Sequence, residues 1–477
     1  MHDALPGLCR LLGLTATRAS HVAVRDFLQL NARDPLQELA HTYLAAFALA
    51  DAPDEWAVLE LLRLGDEGRS RAVAESALLA AAAAAGRAPP ALAQAARDAL
   101  ARGLARCKDE RCRAVRLHAL GNLRRADAAD LLLEHAERGE AAAALAALDA
   151  LAAAPARALT FARLDRLGAL ALDERAPLEL RAAALDLVTL RRAPLPAPLA
   201  RLAHALHARG PHELRRVLWQ RMAALAPLHE PLRALPGMLE PVLRGWDAQA
   251  HGGSSSVLVR GTGWQAGGWS ARLESVQVAR KGLLRRGTVR LQASDGHDRT
   301  FDALTVEVWT RGLEAFGGGS SDAGDTPAAD AEEPAGGLAL AVGGARLRDM
   351  SLFNGQAELL GHVWAGTASS PTPVLRALVP LPETRADVPL LAGVRVRAHG
   401  RAALALALDA QTQVSLWWRS ARASLELRAG LAAAVSARLR TAWGAVSARA
   451  ASRAEPRLRI AADLDFYDKV ALCVRVR

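Results

Sequence analysis

The spacing of apolar residues along this chain changes near residue 250. From about Leu36 to Arg244, apolar residues recur every three or four positions in segments of roughly 10–16 residues, which is typical of amphipathic helices. Turn-forming stretches such as Asp51–Asp54 and Gly86–Pro90 separate the segments. Helix pairs of this kind bury their apolar faces only by stacking on their neighbours. The pattern therefore predicts a two-layer α-helical solenoid, or horseshoe, over residues 1–250.

After residue 250 the apolar positions alternate with other residues, which predicts β-strands. Leu304, Val306 and Val308 form one such series, and Leu404, Leu406 and Leu408 form another. Further strands are predicted at Gln413–Arg419, Ser424–Arg428, Val435–Trp443 and Leu458–Asp465. A helical array followed by open sheets is an unusual arrangement. Sheets that do not pack on one another need another cover for their apolar faces.

An acidic stretch divides the β-rich part. Residues 317–337 are rich in Gly, Ser, Asp, Glu and Pro, which predicts a flexible loop between sheet segments at 251–316 and 338–477. Two short amphipathic helices are predicted in the second segment, at about 355–364 and 374–381. The first would place four residues on one side: Leu359, Leu360, Val363 and Trp364. The residues leave two alternatives open, since both helices could pack on the sheet or dip into a membrane surface.

The formal net charge of +10 invites comparison with nucleic-acid-binding proteins. Almost all the basic residues are arginines, however, and the chain is also rich in alanine, as a GC-biased gene would produce. The basic residues come in short pairs interleaved with Asp and Glu. A nucleic-acid groove needs a dense basic stripe with stacking or base-reading side chains. We therefore discount the charge and predict no nucleic-acid partner.

The chain contains four cysteines. Cys107 and Cys112 lie five positions apart in a polar stretch between two predicted helices. A metal site would need two more ligands there, and His118 alone is near. A small structural disulfide is the preferred interpretation, with two free thiols as the alternative.

Catalysis is not predicted. The sequence has no Gly-x-Ser-x-Gly elbow, no phosphate-binding Walker loop, no His-Glu-x-x-His and no clustered metal ligands. His118, His229 and His362 are expected to be surface or hydrogen-bonded residues, and Gly121 an ordinary helix C-cap. No apolar run is long enough to cross a bilayer. No signal peptide is visible at Met1, so we expect one to be missing if the protein is secretory.

A series of motifs in one order resembles the microsomal triglyceride transfer protein branch of the large lipid transfer protein family, to which vitellogenin belongs. The acidic loop matches in position, and Ala119–Asn122 (Ala-Leu-Gly-Asn) resembles the helical-domain signature of that family. The motifs that carry the resemblance are Ser254–Val257, Gly282–Arg286, Gly312–Ala315, Phe353–Gly355 and Val414–Arg419.

This resemblance implies a helical horseshoe followed by antiparallel β-sheets that enclose a lipid cavity. It implies intracellular transfer of triacylglycerol, cholesteryl ester and phospholipid between membranes, with bound lipid as cargo and no cofactor. It also implies residence in the endoplasmic reticulum lumen, a heterodimer with protein disulfide isomerase, and apolipoprotein B-type lipoproteins as acceptors. The N-terminal β-barrel of the family has no counterpart in this sequence.

Such a cavity needs extended apolar walls, which alternating strands provide. The predicted lining residues are Leu304, Val306, Val308, Leu404, Leu406, Leu408, Leu416 and Trp418. Alternation does not reveal which strand face points inward. Val363 and Trp364, with Leu359 and Leu360, are the predicted membrane contacts. The rival hypothesis is a helical-repeat interaction scaffold with an appended β-domain, which would carry no lipid.

Overall fold

The computed structural model describes residues 4–190, 196–226, 230–243, 253–260, 270–280, 283–294, 300–312, 333–355, 372–389, 395–415, 420–441, 444–455, 457–465 and 470–476. The chain divides into two compact units, Met1–Leu359 and Leu360–Arg477. The first unit contains the helices and one sheet, and the second unit contains another sheet.

The described helices fill the part of the chain where the helical spacing was found. They begin well before residue 36, where that spacing first becomes regular. Their bounds are α1 Leu5–Thr15, α2 Arg18–Leu28, α3 Gln37–Phe47, α4 Glu55–Glu67, α5 Arg71–Ala85, α6 Pro90–Ala105, α7 Glu110–Asn122, α8 Ala129–Arg138, α9 Ala141–Ala153, α10 Phe161–Leu172, α11 Leu178–Leu190, α12 Pro196–Arg209, α13 His212–Leu225 and α14 Leu235–Leu243.

Side-chain caps fix where several helices begin. The side chains of Thr17, Asp54, Asp109 and Thr160 each accept a hydrogen bond from a backbone N–H in the first turn of the helix that follows. A cap of this kind typically contributes about 1 kcal/mol, because it satisfies an N–H that has no partner within the helix. The caps therefore set the helix bounds more sharply than the Ala- and Leu-rich interiors do.

The helices form two layers, as predicted. The odd-numbered helices from α1 to α13 contact one another in succession and make the inner layer. In the outer layer, α2, α4 and α6 contact in turn, as do α10, α12 and α14. Alanine permits this close stacking, and the run Ala77–Ala85 of α5 is buried throughout. No described helix has the length and apolarity that crossing a membrane would require.

The sheet of the first unit is an antiparallel meander of six strands in sequence order. Its strands are β1 Gly253–Arg260, β2 Ser270–Arg280, β3 Leu283–Ser294, β4 Thr300–Arg311, β5 Ala335–Val342 and β6 Ala345–Asn354. Strands β5 and β6 thus belong to the first sheet, whereas the sequence grouped residues 338–477 together and placed residues 335–337 in a loop. Gly343 and Gly344 join the two strands with positive φ angles of 58° and 72°, which suit a tight hairpin turn.

The sheet of the second unit has the order β12-β11-β9-β8-β7. Strand β9 is long enough to pair on one edge with two strands, with β11 along residues 420–428 and with β10 along residues 431–441. The strands are β7 Thr372–Pro389, β8 Arg395–Ser415, β9 Ser420–Thr441, β10 Gly444–Ala454, β11 Arg457–Asp465 and β12 Val470–Val476.

The helix predicted at 374–381 is wrong, because these residues lie in strand β7. A short, almost wholly apolar segment cannot be assigned to helix or strand by periodicity alone. Its prolines, Pro373 and Pro380, also favour an edge strand, where a missing N–H costs little. β7 is such an edge, since among the described strands it pairs with β8 alone. The helix predicted at 355–364 lies outside the described residues.

Candidate functional site

The two faces of the first sheet differ in chemistry. The register of β3, β4 and β5 aligns apolar positions across three strands in the rows Val289–Val306–Leu340 and Leu291–Leu304–Val342, while Val308 lies opposite Leu338. Leu304 and Val306 are buried, with exposures of 4% and 5%, and Val308 is partly exposed. The three predicted lining residues of β4 thus lie on one continuous apolar face.

The alternate positions of the same strands carry charges. Arg286 and Arg290 of β3 and Glu307 of β4 are on the other face. Arg286 pairs with Asp149 of α9, and Arg290 pairs with Asp186 of α11 at 2.7 Å. This charged face therefore meets the inner helix layer. The apolar face, which the sequence could not orient, is the one turned away from the helices.

Arg346 of β6 is the centre of the first group of buried charges. Its guanidinium lies 2.6 Å from Asp349, 3.1 Å from Glu307 and 3.3 Å from Asp149. Burial alone would lower the pKa of Arg346, but the carboxylates of Asp349, Glu307 and Asp149 outweigh burial and raise it. The arginine is therefore charged, and it joins a helix to two strands of the sheet.

A second group of buried charges lies farther along the solenoid. Arg221 of α13 pairs with Asp186 of α11 and with Glu274 of β2, and Arg290 of β3 also contacts both carboxylates. Burial favours the neutral carboxyl of Asp186, yet Arg221 and Arg290 hold the pKa of Asp186 below its ordinary value. Two guanidinium groups and two carboxylates thus balance in a site that excludes water.

Neutral side chains add further links between helices and sheet. The Nδ2 of Asn122 donates to the carbonyl oxygens of Leu79 at 3.0 Å and Arg346 at 2.8 Å, and its Oδ1 accepts from Arg346 N. Gln220 of α13 accepts from the backbone N–H of Ser254. The Asn122 amide therefore satisfies the backbone of β6 where that strand passes α7.

The interpretation of Gly121 as a helix C-cap is wrong. Helix α7 continues through Asn122, and a Cβ at Gly121 would lie 2.6 Å from the Cα of Ala150. The glycine is needed because α7 and α9 approach closely there. The Gly-Asn pair thus has two structural tasks, close helix packing and pairing with the sheet, which the sequence pattern alone did not reveal.

His118 is buried beside the first charged group. Its Nε2 lies 3.8 Å from Asp349. Burial, followed by the nearby charge of Arg346, lowers the pKa of His118 to about 3, so the ring is neutral at physiological pH. A neutral, enclosed imidazole fits a packing role. The described residues hold no group of His, Cys, Asp or Glu arranged to bind a metal ion. His229 and His362 lie outside the described residues.

The second sheet separates its residues in the same way. Leu404, Leu406 and Leu408 of β8 occupy one face, opposite the β9 positions Leu431, Ala429 and Leu427. Leu406 has an exposure of 3%, whereas its neighbour Ala405, on the other face, is exposed. Among the paired positions of the described strands, the face of Leu406 has no charged residue. Leu416 and Trp418 lie outside the described residues, as do Leu359, Leu360, Val363 and Trp364.

Cys107 and Cys112 form a disulfide in the structure, with their Cα atoms 5.6 Å apart. Cys107 follows the end of α6, and Cys112 lies in the first turn of α7, next to the Asp109 cap. The bond closes the turn between two consecutive helices. Cys9 is buried and free.

Both the sequence and the fold of this chain are similar to those of known proteins. Residues 237–473 match the family model described as MTP large subunit, lipid-binding domain. The chain is 27% identical over 500 residues to the microsomal triacylglycerol transfer protein of Drosophila melanogaster. This match covers 100% of this chain and 55% of that protein. It is 25% identical over 192 residues to the microsomal triglyceride transfer protein large subunit of Sus scrofa, covering 40% of this chain and 20% of that protein.

The fold also matches a solved structure described as lipid–protein interactions in lipovitellin. The TM-score is 0.58 at 14% sequence identity, over 96% of this chain and 50% of that one. This match confirms the predicted fold class, a helical array followed by antiparallel sheets. This chain spans about half the length of the fly relative and of lipovitellin.

Proposed function

We propose that this chain binds lipid on the apolar faces of its two sheets and transfers the lipid between membranes. The chain is homologous to the microsomal triglyceride transfer proteins, and its residues 237–473 match the lipid-binding domain family of the MTP large subunit, which supports the proposal. The separation of charge in the sheets is the observation that carries the proposal. In strands β3 to β5 of the first sheet and in the paired positions of the second sheet, one face collects the charged residues while the other presents mainly Leu, Val and Ala. Arg348 of β6, opposite Leu340, is an exception next to the apolar face of the first sheet.

The proposed lining extends the predicted residues across neighbouring strands. In the first sheet, Leu304, Val306 and Val308 are joined by Val289, Leu291, Leu338, Leu340 and Val342. In the second sheet, Leu404, Leu406 and Leu408 continue into the apolar positions of β7 and β9. A strand rises about 3.3 Å per residue, so a face of this length suits an extended acyl chain.

The proposed cargo is triacylglycerol, cholesteryl ester and phospholipid. Each methylene moved from water to an apolar wall contributes about 0.8 kcal/mol, and this burial needs no covalent step. The proposed binding therefore depends on the chemistry of the faces and not on a nucleophile or a metal. The proposed membrane contacts are Leu359, Leu360, Val363 and Trp364. The proposed lining also includes Leu416 and Trp418.

We further propose that the protein works in the endoplasmic reticulum lumen, with protein disulfide isomerase as a subunit and apolipoprotein B-type lipoproteins as acceptors. The Cys107–Cys112 disulfide supports an oxidising compartment, where such bonds form and persist. The homology to the microsomal transfer proteins supports the same compartment. The partners rest on the family resemblance.

The first experiment is to express the chain with protein disulfide isomerase in a secretory system and to quantify lipid in the purified protein by mass spectrometry. We expect stoichiometric triacylglycerol or phospholipid. A folded product without lipid would contradict the proposal and favour the helical-repeat scaffold. Expression without the isomerase is the control for the partner, because a protein that assembles and loads equally well alone would contradict the heterodimer.

A further inference from the structure

The charged face of the second sheet carries a group of exposed arginines on three neighbouring strands. Arg397 and Arg401 lie on β8, Arg438 lies on β9, and Arg449 and Arg453 lie on β10. All five side chains are exposed. Because β9 pairs with both β8 and β10 along this stretch, the five residues occupy one patch, here named the arginine cluster.

The strand register brings like charges together in the cluster. Arg397 lies directly opposite Arg438, a position roughly 5 Å away in an antiparallel sheet. On the other side of β9, Ser436 lies opposite Arg449. Like charges directly opposite one another destabilise a strand pair. Asp387 of β7 lies opposite Arg397 on its other side and offsets part of this repulsion. An anion bound near Arg438 and Arg449 would offset more of it, so the arrangement favours an anionic partner.

The carboxylates of the second sheet are fewer than its arginines and lie at both ends of the sheet. Its described strands and Glu455 contain fourteen arginines against seven Asp and Glu residues, so cations are in excess overall. Asp409 and Glu426 pair with Arg428 toward the opposite end of β8 and β9. At the cluster, Glu455 pairs with Arg453, Asp387 lies opposite Arg397, and Glu383 lies in the bulge of β7 next to the position of Arg401. The five arginines still outnumber these three carboxylates, so the cluster carries excess positive charge.

The layout of the cluster distinguishes between kinds of anion. A single phosphate would need guanidinium groups that converge on one point. These arginines spread over the face of three strands, and the positions between them are His399, Ala434, Ser436 and Ala451. Nucleic acid would favour aromatic side chains for stacking, and the described strands of the second sheet contain no Phe, Tyr or Trp. A surface with many separate phosphates matches the spread best.

We propose that the arginine cluster binds the phosphate groups of an anionic phospholipid membrane. Guanidinium groups bind phosphate oxygens in a bidentate manner, so each arginine can engage its own headgroup. The choice of a membrane rests on the proposed function, because a protein that moves lipid must meet the bilayer that supplies it. The cluster consists of residues other than those of the helix predicted at 355–364, and it would add a charged contact to an apolar one.

The test is vesicle sedimentation with the full chain. Vesicles of phosphatidylcholine alone are compared with vesicles that also contain phosphatidylserine, for the wild type and for a variant with Arg397→Gln, Arg438→Gln and Arg449→Gln. Each basic residue near an anionic surface raises the partition coefficient about five-fold, so the triple variant should bind on the order of a hundred-fold more weakly to anionic vesicles. Binding of the wild type should also fall with added salt.

The matched control removes three arginines from the helical array, with Arg63→Gln, Arg106→Gln and Arg138→Gln. These side chains are 60%, 70% and 79% exposed, and the control has the same net charge as the cluster variant. Equal losses in the two variants would show that overall charge is responsible and would overturn the proposal. Wild-type binding that inorganic phosphate or single-stranded nucleic acid competes away at low concentration would also overturn it.

Lipid content separates this inference from the proposed function. The cluster variant should purify with as much lipid as the wild type, since its substitutions lie on the charged face. If the wild type binds anionic vesicles through the cluster but purifies without lipid, the proposed function fails and the membrane site stands. If lipid is present and the cluster variant still binds vesicles normally, the membrane site fails and the proposed function stands.

Discussion

The two sheets share one pattern of alternation but use their charged faces differently. In the first sheet, the charged face meets the inner helices, and Arg286, Arg290 and Arg346 all pair with carboxylates. In the second sheet, charged residues such as Arg397 and Arg438 are exposed, and arginines outnumber carboxylates. The alternation of apolar and polar residues along a strand determines which face of the sheet carries the charges. Whether another layer, such as the inner helices, covers that face determines whether each charge needs a partner of opposite sign. A buried charge is costly unless it is paired, and an exposed one is not.

Removing one buried arginine should therefore cost far more than removing an exposed one. Arg346→Met leaves the carboxylates of Asp149, Glu307 and Asp349 without their main partner, and we expect the helical unit to lose about 3–5 kcal/mol of stability. Arg438→Met is the matched control on the second sheet and should cost less than about 0.5 kcal/mol. Denaturant unfolding measures both, with the circular dichroism signal of the helices for the first unit and that of the β-strands for the second. Similar losses in the two variants would refute the distinction between covered and exposed faces.

The two faces of a single strand can be compared through neighbouring residues. Leu406 is buried on the uncharged face of β8, and Ala405 is exposed on the charged face. Leu406→Asp should cost about 3 kcal/mol and reduce the lipid recovered with the protein, because it puts a carboxylate among apolar groups. Ala405→Asp introduces the same group on the other face and should change neither quantity appreciably. Thermal unfolding and lipid mass spectrometry of the purified variants measure the two effects.

Acidification should weaken the first unit before its carboxylates titrate. The pKa of His118 is lowered from 6.5 to about 3 by burial and then by Arg346, so the unfolded chain binds a proton that the folded chain does not. Stability is thus present above pH 6.5 and falls as the pH drops toward 3, by about 2 kcal/mol at pH 5 for this residue. Denaturant unfolding at pH 7 and pH 5 measures the loss.

His21 and His41 have their pKa lowered to about 4, each with burial as the largest cause, and add to the same trend. His118→Gln is the control that isolates one histidine, and it should reduce the pH dependence of stability without removing it. A chain whose stability is unchanged between pH 7 and pH 5 would show that these rings are accessible to protons in the folded state.

The main division of the fold was predictable from local pattern. The change of apolar spacing near residue 250 separates α14, which ends at Leu243, from β1, which begins at Gly253. The alternation in β4 and β8 also predicted which residues share a face. Both signals are local, since a helix and a half-buried strand have different side-chain periods. The direction of each face needed a partner element and could not be read from the strand alone.

The contacts that join helices to sheet were not predictable in the same way. Arg346 and Asp149 are 197 positions apart, and Arg286 and Asp149 are 137 apart. In a sequence with many arginines, nothing local distinguishes a buried guanidinium from an exposed one. Asn122 was the residue most open to prediction. It lies at the end of an otherwise apolar run, and a buried asparagine amide requires hydrogen-bond partners. The adjacent Gly121 instead favoured the prediction of a helix C-cap, which proved wrong.

The separation of the buried charges has a consequence for how this chain avoids misassembly. Three inner helices, α5, α9 and α11, consist mainly of Ala and Leu, so their apolar side chains differ little from one helix to the next. The polar partners differ from helix to helix, with an amide on α7, a carboxylate on α9, another on α11 and a guanidinium on α13. A docking displaced by one repeat along the sheet would set carboxylate against carboxylate or leave a guanidinium alone. One alignment of the repeats with the strands is therefore distinguished from its neighbours by electrostatics, where apolar burial alone would leave them nearly degenerate.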